Sequence, residues 1–170
     1  MKTKAQFRFI CIFFVLLIAG QGIYYLSKTR FENLIVNRLN VGVSVKIINL
    51  ISPQEHAVQK GKNILGSNIS MTVATGCDGM DGLIVVIAAI LAFPMAFLNR
   101  IKGMLLGISV VYITNLLRIV MLFFTLRFQS GWFDFMHIYI GQFIVIFTAG
   151  LFFLIWINYT SKKEKLSGEQ

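Results

Sequence analysis

Four long apolar runs separated by polar segments dominate the hydrophobic pattern of this chain. They cover about residues 9–26, 83–98, 104–126 and 137–159. A helix needs about 20 predominantly apolar residues to cross the hydrocarbon core of a bilayer, and these runs reach or approach that length. The pattern therefore predicts four transmembrane helices in a single membrane domain of residues 1–170.

The first run resembles a secretory signal peptide in the order of its parts, because basic residues precede it. No cleavage site of small residues follows it. Instead it ends at Tyr24 and Tyr25, an arrangement typical of the aromatic belt at a membrane surface. We therefore expect the run to remain in the protein as the first transmembrane helix.

Residues 31–51 show a helical period in which every fourth residue is apolar. Polar residues fill most of the other positions. The apolar positions are Phe31, Ile35, Leu39, Val43, Ile47 and Ile51. This pattern predicts an amphipathic helix that is too polar to span, lying in the membrane interface or across the other helices.

Residues 69–73 alternate between apolar and polar side chains, which is the period of a β-strand. The stretch 56–59 is a candidate partner strand, with turn residues at 61–63 and 66–68. We expect a small β-hairpin outside the membrane, within an extracytoplasmic segment of residues 27–82.

The composition places the chain outside the class of soluble domains. Hydrophobic residues make up 56% of the sequence and charged residues 14%, and both values depart from those of average globular proteins. The net charge of +9 comes from basic residues that flank the apolar runs, so we expect no nucleic-acid partner. The predicted class is an all-α polytopic membrane protein with the lipid bilayer as its surroundings.

The basic residues also predict the orientation. With four spans, both termini and the loop 99–103 share one side, and these three short segments hold eight basic residues. The other side holds seven, of which six lie in the long segment 27–82. Because the positive-inside rule counts short segments most, we expect both termini to be cytoplasmic.

The segment 75–82 joins the longest polar stretch to the second apolar run. It contains three glycines, and Cys77 and Asp78 lie among them. Asp78 or Asp81 can accept hydrogen bonds from the first turn of the following helix, so a purely structural capping turn is one interpretation. The other cysteine, Cys11, lies in the first apolar run, so no disulfide framework is expected.

Arg118 lies inside the third apolar run. A charged residue at the centre of a span costs about 2.5–3.5 kcal/mol on insertion scales, so such a side chain faces a bundle interior or an aqueous cavity. Tyr112 and Asn115 precede it at intervals of three residues and form a polar stripe on the same helix. Snorkelling of Arg118 to the outer interface is the alternative.

His137 begins the fourth run, on the same predicted side of the membrane as Cys77. Arg118 lies in the half of its helix that is nearer to that side. The three residues supply a nucleophile, a general base and a fixed positive charge, which are the parts needed for acyl transfer through a thioester. In that chemistry His137 takes the thiol proton and Arg118 stabilises the oxyanion. No histidine or cysteine pair has zinc-motif spacing, so we expect neither a metal nor a cofactor.

Two other classes of function stay open on these residues. The first is a small non-enzymatic membrane assembly protein in which the segment around Cys77 is structural. The second is a transporter subunit that uses Arg118 as an anion site.

The sequence resembles the exosortase/archaeosortase family, and most closely its small exosortase H subgroup. The resemblance covers about residues 70–157 and rests on three motifs: Gly76-Cys77-Asp78-Gly79, Asn115-Leu116-Leu117-Arg118, and His137. It implies that Cys77, Arg118 and His137 are the catalytic residues. Asp78 stands where that family usually has serine or alanine.

The resemblance also implies an activity and a location. The implied activity is that of a membrane cysteine peptidase or transpeptidase. The implied location is the bacterial inner membrane, with the active site facing the periplasm. Its partners would be secreted proteins with a C-terminal sorting signal, made of a short motif, an apolar helix and a basic cluster. The resemblance does not identify the acceptor of the cleaved chain.

Overall fold

The helices of the computed structural model follow the apolar runs of the sequence. The structure describes residues 2–73 and 76–168, with side chains described for 4–27, 36–73 and 76–163. The helical elements are α1 (Lys2–Phe31), a π-helical stretch (Glu32–Val41), α2 (Gly42–Ile51), a 3-10 turn (Pro53–Glu55), α3 (Met80–Ala92), α4 (Phe97–Phe128), a second 3-10 turn (Ser130–Trp132), α5 (Phe133–Phe135), a second π-helical stretch (Met136–Ile140) and α6 (Gly141–Gly168). The strands are β1 (Val58–Lys60), β2 (Asn63–Leu65) and β3 (Ser70–Thr72).

Among the residues that the structure describes, three helical segments are long and apolar enough to cross a membrane. They are Lys4–Ser27, Phe97–Phe128 and Ser130–Lys163. They contain the predicted spans 9–26, 104–126 and 137–159. The chain is an all-α polytopic membrane protein with a small sheet, as the hydrophobic pattern predicts.

The helix found in the predicted span 83–98 is shorter than that span. Helix α3 has 13 residues and ends at Ala92, so it is about 20 Å long at 1.5 Å per residue. Pro94 explains the early end, because the residue before a proline is disfavoured in the helical region and Phe93 is extended, with ψ of 131°. Helix α3 packs against α1, α4 and α6, and seven of its 13 residues are buried.

Helices α1 and α3 run side by side in opposite directions. Gln21 of α1 donates a hydrogen bond to Asp81 in the first turn of α3, at 3.0 Å. At the other end, the ring of Phe9 lies 6.1 Å from that of Phe93. The start of α3 and the end of α3 therefore lie at opposite ends of the helix bundle.

The predicted basic loop 99–103 is wrong. These residues belong to the first turns of α4, which begins at Phe97. The chain reverses instead within the short segment 93–96, where Pro94 already interrupts the helix. Continuing the helix through the basic residues keeps their backbone groups hydrogen-bonded, which a loop near a membrane would have to achieve by other means.

The segment 31–51 is helical, as predicted, but it buries a different face. Asn40, Ser44 and Ile48 are buried, whereas Leu39 and Ile51 of the predicted apolar stripe are 43% and 62% exposed. Burial of Asn40 is compensated in part, because its amide nitrogen donates a hydrogen bond to the backbone carbonyl of Asp78, at 2.9 Å. The predicted stripe residues Phe31 and Ile35 lie outside the described side chains.

The predicted hairpin is a three-stranded antiparallel sheet in the order β1-β2-β3. The partner of β3 is β2, with Ile64 opposite Met71, and not the stretch 56–59. Gly61 has a positive φ of 60° and lies in the two-residue turn between β1 and β2. Asn63, which the sequence pattern assigned to this turn, is instead the first residue of β2.

The sheet is fixed to the helices near one end of the bundle. Ile64 and Met71 are buried in a hydrophobic cluster with Phe123 of α4 and with Cys77. An ion pair adds to this attachment, because Arg127 of α4 lies 2.9 Å from the carboxylate of Glu55. This packing positions the segment that follows the sheet against α4.

Candidate active site

The segment Gly76–Gly79 forms a tight turn that leads from the sheet into α3. Gly76 and Gly79 have positive φ values of 91° and 77°, a conformation that side chains disfavour. At Gly79 a Cβ atom would also lie 2.8 Å from the side chain of Asn115. Asp78 accepts a hydrogen bond from the backbone N–H of Met80, the first residue of α3, at 3.2 Å. The turn therefore holds Cys77 against α4 and starts α3.

Cys77 and His137 are in direct contact. The Sγ atom lies 3.2 Å from Nδ1 and 3.7 Å from Nε2 of the imidazole. The ring of His137 stacks on that of Phe133, with an interplanar angle of 9°. The thiol and the imidazole are thus held at hydrogen-bonding distance, which is the geometry that a nucleophile and its base require.

His137 lies inside a continuous helical segment and does not open it, contrary to the sequence-based expectation. The segment runs from Phe133 through the π-helical stretch Met136–Ile140 into α6. Single π-helical turns inside α-helices are frequent at functional sites. Aromatic residues before His137 extend the helix beyond the apolar run from which its start was predicted.

Arg118 faces the interior of the bundle and does not snorkel. The residue is only 4% exposed. One terminal nitrogen donates to the carbonyl of Gly76 at 3.1 Å and to Gln142 Oε1 at 3.3 Å. The other donates to the carbonyl of His137 at 3.2 Å. Arg118 therefore joins the residue before Cys77 to the backbone of His137.

Gly141 provides the space for the guanidinium. A Cβ atom at this position would lie 2.5 Å from Nε of Arg118 and 3.0 Å from the carbonyl oxygen of Met136. The group that packs against Gly141 is therefore the Arg118 side chain. Any larger residue would have to displace it.

The family described as transmembrane exosortase (Exosortase_EpsH) matches residues 2–156, almost the whole chain. The chain belongs to the transmembrane exosortase family. No curated protein and no solved structure matches it.

Of the three supporting residues predicted for this site, Asn115 contacts the turn that carries Cys77 and Asp78 belongs to that turn. The amide of Asn115 donates to the carbonyl of Cys77 at 3.2 Å. Asp78 is buried, and besides Met80 it accepts a hydrogen bond from the hydroxyl of Tyr24. The third residue, Tyr112, donates to the carbonyl of Leu39 at 2.8 Å. Tyr112 thus ties α4 to the segment before α2 and lies outside the contacts that join Cys77, His137 and Arg118.

Several residues around the site were not identified from the sequence. Asn40 and Tyr24 both donate hydrogen bonds to Asp78, although the sequence pattern placed Tyr24 at the membrane surface. Asp81 accepts from Gln21 at 3.0 Å and from Gln142 at 3.5 Å, and so links α1 to the Arg118 contacts. Gln142 could have been identified from the sequence, because an amide side chain within an apolar run needs a polar partner.

The surroundings of Cys77 favour its neutral thiol. Burial raises the pKa of Cys77 most, and the nearby carboxylate of Asp78 raises it further, while the Arg118 guanidinium lowers it. The residue is 4% exposed. A thiol in this setting needs an adjacent base to become a nucleophile at neutral pH.

Proposed function

We propose that this exosortase-family chain is a membrane cysteine peptidase or transpeptidase with Cys77 as the nucleophile and His137 as the general base. The observation that carries the proposal is the 3.2 Å contact between the Cys77 sulfur and His137 Nδ1. The two residues come from separate elements 60 positions apart, and the contact brings together the two groups needed for thiol activation.

The proposed reaction has two stages. In the first, His137 takes the thiol proton while the Cys77 sulfur forms a bond to the carbonyl carbon of the scissile peptide. The C–N bond then breaks, and His137 returns the proton to the leaving amine. In the second stage, water or an amine or hydroxyl acceptor attacks the thioester, the C–S bond breaks, and Cys77 regains its proton through His137.

Arg118 has two functions in this proposal. Its contacts with the carbonyls of Gly76 and His137 position the nucleophile and the base relative to each other. A guanidinium carries five N–H donors, of which the three described contacts use three. The remaining donors, including the buried Nε that has no partner among the described residues, are available to the oxyanion.

The burial of Cys77 implies that substrate binding is coupled to a local movement. A peptide carbonyl reaches the sulfur only after the side chains around it separate. Phe133 and Met136, which are partly buried against the same hydrophobic cluster, border the site on the His137 side. Such gating keeps water away from a reactive thioester until an acceptor is bound.

The proposed substrates are secreted proteins with a C-terminal sorting signal of a short motif, an apolar helix and a basic cluster. We place the reaction at the periplasmic face of the bacterial inner membrane, with both termini cytoplasmic. Membership of the transmembrane exosortase family and the distribution of basic residues support this part of the proposal. The acceptor of a transpeptidation stays unassigned.

The contacts of Arg118 weigh against an anion-transport function. Its described hydrogen-bond partners are the neutral carbonyl oxygens of Gly76, His137 and the Gln142 side chain. An arginine that holds a transported anion needs its planar fork open toward the pathway. If the segment at Cys77 were purely structural, nothing would require an imidazole at 3.2 Å from the sulfur.

Co-expression with a candidate substrate tests the proposal. A secreted protein carrying the C-terminal signal is produced with the wild-type chain, with Cys77→Ala or with Cys11→Ser, and its C-terminus is determined by mass spectrometry. We expect processing by the wild type and by Cys11→Ser, whose cysteine lies on the exposed surface of α1, and none by Cys77→Ala. Processing by Cys77→Ala would rule out the thiol mechanism.

A further inference from the structure

A basic cavity lies at the end of the helix bundle opposite Cys77. Its volume is about 650 Å³, and it is bordered by Leu91, Ala92, Phe93 and Pro94 at the end of α3. Since α3 starts three residues after Cys77 and is about 20 Å long, the cavity is far from the candidate active site. The proposed reaction makes no use of it.

Three cationic side chains line this cavity. Lys4 and Arg8 come from α1 and Arg100 from α4, and none of the described lining residues is acidic. The Nε atom of Arg100 is buried and has no hydrogen-bond partner among the described residues. A buried, unpartnered guanidinium donor is costly unless an acceptor occupies the site. The cavity therefore has the charge and the donors for an anion.

An apolar groove continues from the same place. It has a volume of about 520 Å³ and shares Ala5, Phe9, Phe93 and Pro94 with the basic cavity. Its other walls are mainly apolar side chains of α1 and α6, including Ile10, Phe153 and Leu154. The two spaces together have one cationic and one apolar part, which matches an amphiphile with an anionic headgroup and a hydrocarbon chain.

We propose that this end of the molecule binds an anionic phospholipid, with its phosphate beside Arg100, Arg8 and Lys4 and an acyl chain in the groove between α1 and α6. Basic pockets between transmembrane helices recognise lipid headgroups by this combination of charge and apolar contact. A free phosphate uses only the first half of the site, whereas a phospholipid uses both. The position at the end of membrane-spanning helices places the site at the depth of lipid headgroups.

Native mass spectrometry of the purified full chain tests the proposal. Phosphatidylglycerol and phosphatidylcholine with identical acyl chains are compared, because both carry a phosphodiester and only the first has a net negative charge. We expect the wild type to retain phosphatidylglycerol preferentially. Arg100→Gln and Arg8→Gln should each weaken its binding about fivefold, the effect of one basic residue at an anionic lipid surface.

Lys102→Gln is the matched control. It removes the same charge two residues further along α4, but Lys102 lines a different cavity. This variant should bind phosphatidylglycerol like the wild type. Arg8 is exposed, so Arg8→Gln provides the test if Arg100→Gln fails to fold.

Three outcomes would overturn the proposal. One is equal retention of the two lipids by the wild type, and another is an equal effect of the Arg8 or Arg100 substitution and of Lys102→Gln. The third comes from adding inorganic phosphate in large excess: if it displaces phosphatidylglycerol as effectively as added lipid does, the cavity is a simple anion site. Persistence of the lipid under that excess supports a site that also binds the acyl chain.

Discussion

The sulfur of Cys77 lies 3.2 Å from Nδ1 of His137, and Arg118 donates hydrogen bonds to the carbonyls of Gly76 and His137 on either side of that contact. One buried cation thus connects the backbone of the two segments that carry the thiol and the imidazole. Disturbing the arginine should therefore disturb the thiol–imidazole pair even when both of its members are intact. The predictions below separate these contributions.

The first prediction concerns activation of the thiol. In a Cys11→Ser background, His137→Gln should slow alkylation of Cys77 by a small reagent at neutral pH. Burial raises the pKa of Cys77 above its ordinary value near 8.5, so the thiol is protonated at pH 7 and depends on a base. The difference between the two proteins should shrink as the pH rises above the raised pKa of the thiol, where hydroxide removes the proton. Identical pH profiles would show that His137 does not activate the sulfur.

The second prediction is non-additivity. Cys77→Ala, His137→Ala and the double variant should all reduce substrate processing to a similar residual rate, because residues that act as one unit lose their joint contribution with the first substitution. The measurement is single-turnover processing of one substrate by all three proteins at equal membrane abundance. A double variant much slower than either single variant would mean that the residues act independently.

The third prediction concerns the planar fork of Arg118. Arg118→Lys keeps the positive charge but cannot bridge the two carbonyls, so processing should fall about 100-fold, the cost of losing an oxyanion-hole donor. Arg127→Lys is the control on the same helix, since a lysine there retains the charge that faces Glu55. Insertion of both variants is checked by membrane fractionation. Equal activities of Arg118→Lys and Arg127→Lys would show that the planar guanidinium of Arg118 is not needed for processing.

The fourth prediction compares two glycines of α6. Gly141→Ala places a methyl group where the Arg118 side chain lies, at 2.5 Å from Nε, whereas at Gly150 no described atom outside the adjacent helix backbone lies within 4 Å of the added group. Both changes raise helix propensity by about 1 kcal/mol, so propensity cancels in the comparison. We expect Gly141→Ala to lose at least tenfold in processing and Gly150→Ala to keep wild-type activity. Equal activities would show that the space beside Arg118 does not matter.

The fifth prediction is the membrane orientation. A reporter inserted in the segment 93–96, where the chain turns between α3 and α4, and one fused after Lys165 should both be cytoplasmic. A reporter in the turn at Gly61 should be periplasmic. The expectation rests on the short basic segments at both termini and at the start of α4. The reverse pattern would place Cys77 on the cytoplasmic side and contradict its proposed action on secreted proteins.

Much of the fold follows from the sequence because it depends on local or averaged properties. The lengths of the apolar runs predicted the three long helices, since a bilayer requires about 20 apolar residues from any segment that crosses it. The second run predicted a helix over residues 83–98, but the effect of Pro94 on the residue before it ended the helix at Ala92. The two-residue alternation at 69–73 predicted a strand, although its partner depended on where the turn at Gly61 ended.

For the site, the sequence identified which residues have the chemistry, and the structure decided which of them meet. Three residues stand out in the sequence whatever the fold: a cysteine among glycines, an arginine inside an apolar run and a histidine at the start of another run. That Arg118 contacts the backbone on both sides of the thiol–imidazole pair depends on the crossing of α4 with α6 and on the space at Gly141. No periodicity along the chain encodes such a crossing.

The sequence by itself determined that this is a polytopic membrane protein with Cys77, Arg118 and His137 as the chemically capable residues, because hydrophobic length and rare polar residues are properties of single segments. Only the tertiary structure decided that Asn40 is buried against Asp78, that Leu39 is exposed, and that Arg118 lies between two carbonyls. Periodicity reports how many residues of a segment prefer an apolar environment. Which face is covered depends on partners 38 or more residues away, whose positions are set by the packing of the whole bundle.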